Sequence, residues 1–124
     1  MLEINLTFEG PMPTKKNSMK LICRGNRPRI IQSDQYRAYA KDIAQQMMPF
    51  GNQFIPGEVE VRCLYWVKDR RKRDLLNLMA ATHDLLEDNG FIEDDALIRS
   101  VDGSRIVGID RCYPRVEITI RQWR

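Results

Sequence analysis

This chain has little of what usually marks a catalytic site. Of its 124 residues, one is histidine and three are cysteine. His83 has no Cys or His at ligand spacing, which argues against a zinc site and makes it a packing or surface residue. Cys23, Cys63 and Cys112 are odd in number and far apart. They fit no CxxC pair and no disulfide framework, so free thiols in a reducing cytosol are expected. Gly25, Gly51, Gly57, Gly90, Gly103 and Gly108 are too dispersed to build a phosphate-cradling loop, and no organic cofactor is expected. Ser18, Ser33, Ser100 and Ser104 lack a flanking nucleophile motif. No apolar run approaches about 18 residues, and the N-terminus shows no basic-then-apolar signal pattern. These absences predict a cytoplasmic protein that neither spans a membrane nor is exported. Without an internal repeat or a low-complexity tract, residues 1–124 are expected to form one domain.

What the chain does have is charge, unevenly placed. Its net charge of +3 is modest. The basic residues gather at Lys15–Lys20, Arg24–Arg29 and above all Lys68–Arg73, where Lys68, Arg70, Arg71, Lys72 and Arg73 crowd into six positions. No Lys or Arg then occurs between Asp74 and Ile98, while Glu87, Asp88, Glu93, Asp94 and Asp95 do. A basic run able to hold phosphate thus leads into an apolar-periodic segment, and an acidic turn follows it. Metal-dependent phosphodiester cleavage uses these two environments together. Cations hold the polyanion, and carboxylates hold the ion that activates water.

Hydrophobic spacing supplies the elements. Residues 2–8 alternate Leu2, Ile4, Leu6 and Phe8 with polar neighbours, as a half-buried strand does. Residues 19–23 and 28–31 suggest a hairpin around Gly25-Asn26. Ser33 or Asp34 is a candidate N-cap for a helix running to about Met48, with Tyr36, Tyr39 or Ala40, Ile43, Ala44 and Met47 as its buried stripe. Glu58–Val67 alternates as a strand with a second face that is only partly polar, which implies partial cover. Asp74–Glu87 reads as a helix whose face is Leu75, Leu78, Met79, Thr82, Leu85 and Leu86, with Gly90 as its left-handed end. Leu97–Gly108 and Arg115–Gln122 read as the last two strands. The order predicts an α+β fold: a single domain with a mixed β-sheet and two main helices packed on it.

Within this frame Asp74, Asp94 and Asp95 are the candidate metal ligands. A helix over 74–87 spans about 21 Å, and residues 88–95 are long enough to return along it when extended. The other reading makes Asp74 only an N-cap and Asp94-Asp95 only a solvated turn. Lys15, Lys16, Arg70, Arg71, Lys72 and Arg73 are the candidate nucleic-acid contacts, or else solvated loop residues. Trp66, just before the basic run, is a base-stacking candidate or a core residue.

The stretch RDLLNLMAATHDLLEDNGFIEDDALI resembles the RusA family of Holliday-junction resolvases of bacteria and their phages. The family pattern is Asp-Leu-Asp-Asn-Leu, a Lys three residues after the Asn, a helix end, Gly, an aromatic, and Asp-Asp before a strand. Here it reads Asp74-Leu75-Leu76-Asn77-Leu78, Ala80, Asp84-Leu85-Leu86, Gly90, Phe91 and Asp94-Asp95. Gly10-Pro11, Lys15-Lys16-Asn17-Ser18, Arg27-Pro28 and Ser33 to Tyr36 extend the likeness over nearly the whole chain. The resemblance implies a RusA-like α+β fold and a homodimer. It implies a Mg²⁺-dependent endonuclease, with Mn²⁺ as a substitute, acting on four-way DNA junctions in recombination and repair. Asp74 and Asp95 would be catalytic, Asp94 would share the metal, and Asn77 would support them. The family's second Asp falls on Leu76 and its Lys on Ala80, so a ligand and a cation are missing; Lys72 or Arg73 is a candidate replacement for the cation. The alternative implied is a junction-binding protein of the same fold that no longer cuts.

Overall fold

A computed structural model describes residues 2–13, 19–24, 27–51 and 53–124, with the backbone alone over 19–24 and 27–32. The strands are β1 (Glu3–Glu9), β2 (Met19–Arg24), β3 (Arg27–Gln32), β4 (Val59–Val67), β5 (Ile98–Ser100), β6 (Arg105–Ile109) and β7 (Arg115–Gln122). The helices are α1 (Asp34–Met47) and α2 (Leu75–Asp88). The main sheet has five strands in the order β1-β7-β4-β5, with β6 also on β4. β7 is antiparallel to both β1 and β4, whereas β5 and β6 run parallel to β4. β2 and β3 form a separate antiparallel pair; the Gly25-Asn26 turn between them lies outside the described residues. This is the mixed sheet with two helices that the hydrophobic pattern predicts.

Register explains which face is buried. Ile4 pairs Ile120, which pairs Val61; Leu6 pairs Ile118, which pairs Cys63; Phe8 pairs Val116, which pairs Tyr65. Side chains alternate along a strand, so these three rows share one face, and all are buried. Both helices add their apolar stripes to the same core. Thr82 of α2 donates its hydroxyl to Leu78 O at 2.9 Å, leaving its oxygen to accept the Tyr65 hydroxyl at 2.6 Å. Helix and sheet are thereby joined by a buried polar pair that satisfies itself.

α1 starts at Ser33, whose side chain accepts from Tyr36 N at 3.2 Å. Tyr36, Tyr39, Ile43 and Met47 are its buried residues. Ala40 is half-buried but Ala44, expected inside, is exposed. It lies about 100° around the helix from Ile43, beyond a stripe that is narrow here. α2 buries Leu78, Met79, Ala81, Thr82, Leu85 and Leu86, and leaves Leu75 half-buried.

The single strand expected over Leu97–Gly108 is two. Ser104 N donates to Val101 O at 3.0 Å, closing a turn in which Gly103 has φ +83°. A side chain at 103 would meet Arg62 Cδ at 3.0 Å. The break falls at Asp102-Gly103, a turn dipeptide with apolar residues of the stretch on either side. Among the described residues, no helix is long and apolar enough to cross a membrane.

Candidate functional site

At the end of β4 the basic run turns over the top of the sheet. Arg73 folds back into it, donating to Asp69 O and Arg71 O, each at 2.9 Å, and to the Asp69 carboxylate at 2.7 Å. Arg71 N also donates to Asp69 Oδ1 at 3.0 Å. That amide first, and the Arg73 guanidinium second, hold the Asp69 carboxyl below its usual range. Arg73 thus staples the loop, and Lys68, Arg70, Arg71 and Lys72 are left exposed. Lys68, Arg71, Lys72 and Arg73 line a cleft of about 190 Å³, closed on its other side by Pro11, Met12, Pro13 and Gln35. Lys15 and Lys16, which follow that proline segment, lie outside the described residues.

Asp74 caps α2. Its carboxylate accepts from Leu76 N at 3.0 Å and from the Asn77 amide at 3.3 Å. Leu76 stands 71% exposed, and Ala80, one turn on, is partly exposed.

The acidic turn is built at the other end of the helix. Gly90, at φ +77°, reverses the chain; its N–H donates to Glu87 O at 3.1 Å and that of Phe91 to Leu86 O at 3.0 Å. Phe91 and Ile92 are buried, and Ile92 bridges Ile55. These anchors press the following residues against the last turn of α2. Asp95 N donates to Glu87 Oε1 at 2.9 Å, and Asp94 caps the next short turn by accepting from Ala96 N at 2.9 Å. Arg99 pairs with Glu58 and donates to Ala96 O at 2.8 Å, fixing that turn from below. Glu93 points away, accepting from Gly57 N.

The result is a group of three carboxylates: ligand oxygens of Glu87, Asp94 and Asp95 lie within 4.8 Å of one another. Bonds from the Ala96 amide, and then from Asp95, hold the Asp94 carboxyl below its usual range, so it is ionised in neutral solution. Hard oxygen donors of this kind suit Mg²⁺ or Mn²⁺. Two of the predicted ligands, Asp94 and Asp95, are brought together. Asp74 is not in the group: it stands at the opposite end of α2, about 20 Å away along the axis. The chain doubles back only as far as the last helical turn. Glu87 was not among the expected ligands. Its signal was Gly90, because a left-handed residue there returns the chain onto the final turn, where Glu87 faces it.

The remaining candidates stand outside the acidic turn and the basic run. Trp66 stacks on Arg115, whose guanidinium carbon lies 4.1 Å from the ring centre. His83 Nε2 is buried without a hydrogen-bond partner, and burial holds its pKa below the ordinary value. Cys63 is a free thiol pushed up to about 12 by burial, while Cys112 is free and exposed.

A search of curated proteins finds no match. Residues 9–121, from the end of β1 into the last residues of β7, match the family model described as endodeoxyribonuclease RusA. That span carries both helices, the basic run and the acidic turn, and the chain belongs to the RusA endodeoxyribonuclease family.

Proposed function

We propose that this chain is a structure-selective endonuclease that cuts four-way DNA junctions with Mg²⁺, or Mn²⁺ in its place. It would act as a cytoplasmic homodimer in recombination and repair, with residues 1–124 as one domain. The RusA family is one of Holliday-junction resolvases. The observation that carries the reading is the meeting of Glu87, Asp94 and Asp95 within 4.8 Å in a chain of that family.

Asp94 and Asp95 would hold the ion, with Glu87 beside them. When bound, it would activate water and stabilise the leaving oxygen. The protein's own part is positioning. Glu87 orients Asp95 by accepting its amide. Exposed Arg70, Arg71 and Lys72, with Lys15 and Lys16, would neutralise phosphates and set the DNA register. Arg73 contributes by shaping the loop they stand on.

Asp74 belongs to the same reading through the dimer. Within one copy, α2 separates it from the acidic turn. Two copies with antiparallel α2 helices would bring Asp74 of each to the Asp94-Asp95 turn of the other. In that arrangement the partner helix would cover exposed Leu76. Asn77 would keep the Asp74 carboxylate aimed by its hydrogen bond.

The second reading is a junction-binding protein of the same fold without cleavage. It is favoured by Leu76 and Ala80, which offer no carboxylate and no cation where the family resemblance expects them. Incubation of the purified protein with a synthetic four-way junction in Mg²⁺, then in Mn²⁺, separates the two. Symmetric cuts support the enzyme; tight, junction-selective binding without cuts supports the second reading. A protein with no preference for junctions over duplex contradicts both.

A further inference from the structure

The loop between β6 and β7 closes the same end of the sheet as the basic run. Asp110 N donates to Val67 O at 2.8 Å, and Gly10 N donates to Pro114 O at 2.9 Å. The loop therefore meets the last residue of β4, where the basic run begins, and the segment that borders the basic cleft. Tyr113 stands on this loop 41% exposed.

An exposed tyrosine is ordinarily free to move, but this one is held. The Arg115 guanidinium carbon lies 4.1 Å from the centre of the Trp66 ring and 4.7 Å from that of Tyr113, so a cation is stacked on both rings. The Tyr113 hydroxyl donates to Glu9 at 3.1 Å, and its N–H donates to Asp110 Oδ1 at 3.0 Å. Arg115 in turn donates to Asp110 at 3.0 Å, to Glu117 at 2.9 Å and to Tyr113 O at 3.0 Å. Its charge is met by two carboxylates, so it serves to prop the ring and not to bind phosphate.

We propose that Tyr113 is a stacking platform for an unstacked nucleobase of DNA held by the basic run, an inference that rests on the junction-binding reading above. The local charge selects the base over the phosphate. Glu9, Asp110 and Glu117 surround the ring and repel a phosphodiester, whereas a nucleobase is neutral and presents a π-face of matching size. An open branch point supplies such bases, because the central pairs of the four arms each have one face without a stacked neighbour. Phosphates on either side would fall to Arg70, Arg71 and Lys72, and to exposed Arg111 of the same loop.

The test uses the full chain and a synthetic four-way junction in EDTA, with a matched duplex as comparison. Tyr113→Ala should weaken junction binding about tenfold, leave duplex binding unchanged and leave the salt slope unchanged, since stacking releases no counterions. Tyr113→Phe keeps the ring and should bind within about twofold of the unaltered protein. A 5-iodouracil at the branch point should crosslink to Tyr113 on irradiation, a readout that stands even if the alanine variant folds poorly. Equal junction affinity for Tyr113→Ala, or equal weakness of the Ala and Phe variants, would overturn the inference alone. Failure of the unaltered protein to bind junctions would overturn the functional reading and this inference with it.

Discussion

The two ends of α2 carry opposite charge. Lys68, Arg70, Arg71 and Lys72 precede its N-terminus; Asp84, Glu87 and Asp88 occupy its C-terminal turns, and no basic residue stands in the last turn. A helix dipole favours the reverse arrangement, with anions at the N-terminus and cations at the C-terminus. Asp74, the N-cap, is the one group placed as the dipole prefers. The two ends also differ in how they are held. The basic end rests on one internal arginine, Arg73, and its other cations reach into solvent. The acidic end is pinned by buried Phe91 and Ile92 and by bonds from Gly90, Phe91 and Asp95. Flexible cations suit a polymer of varying shape, and fixed carboxylates suit an ion that demands set geometry. Charge set against the dipole at both ends accords with the proposed reading, in which one end meets DNA and the other an ion.

The largest expected effect breaks the contrast between Asp74 and its bare neighbours. Leu76→Asp with Ala80→Lys should raise four-way-junction cleavage by orders of magnitude, because metal positioning and a phosphate-facing cation each act on the transition state. Asp95→Asn in that background should remove the gain. Leu76 is exposed in the single subunit, so the changes leave its core intact, and in the antiparallel pair position 76, like Asp74, would face the partner's acidic turn. A double variant that folds, binds junctions and still does not cut, as followed on denaturing gels, would contradict the assignment.

The middle of α2 carries stability where its ends carry charge. Leu78→Ala should cost about 2–5 kcal/mol, since the side chain is buried among both helices and the sheet. Leu76→Ala should change stability by less than about 0.5 kcal/mol in the isolated subunit. Denaturant melts that rank the two the other way would mean the helix face is misassigned.

Much of this was legible in the sequence, and particular residues show where legibility ended. The α2 face could be read because its apolar residues recur at helical spacing, and β1, β4 and β7 because theirs alternate. The break between β5 and β6 carried its own signal in Asp102-Gly103, which apolar Ile98, Val101, Ile106 and Val107 on either side outweighed. The basic run was plain from composition. That Arg73 would turn inward depends on carbonyls of the loop's own backbone, which have no sequence signature. Asp94 and Asp95 stood out as a pair. Glu87 joined them only through the reversal at Gly90 and the burial of Phe91 and Ile92.

A smaller effect sharpens the role of the basic end. Arg71→Ala with Lys72→Ala should weaken junction binding and lower the slope of log affinity against log salt by about 2, close to 0.9 per lost phosphate contact. Glu87→Gln should leave that slope unaltered. A slope that survives the double change would place the DNA elsewhere.

The smallest effect is on acid stability. Burial, only partly opposed by Asp84, holds the His83 pKa below 6.5 in the folded chain. The unfolded chain therefore binds more protons in acid, and the contribution is complete above about pH 6.5 and lost as pH falls below it. Thermal melts from pH 7.5 down to about 5.5 should show this loss, and His83→Gln should lessen it.

The central claim is that the cation sits at the acidic end of α2. Mn²⁺ titration of the full chain, followed by electron paramagnetic resonance, tests it without relying on cleavage. Asp95→Asn and Glu87→Gln should each weaken Mn²⁺ binding by about tenfold or more, while Arg71→Ala leaves it unchanged. Mn²⁺ binding that is indifferent to both acidic changes would contradict the account.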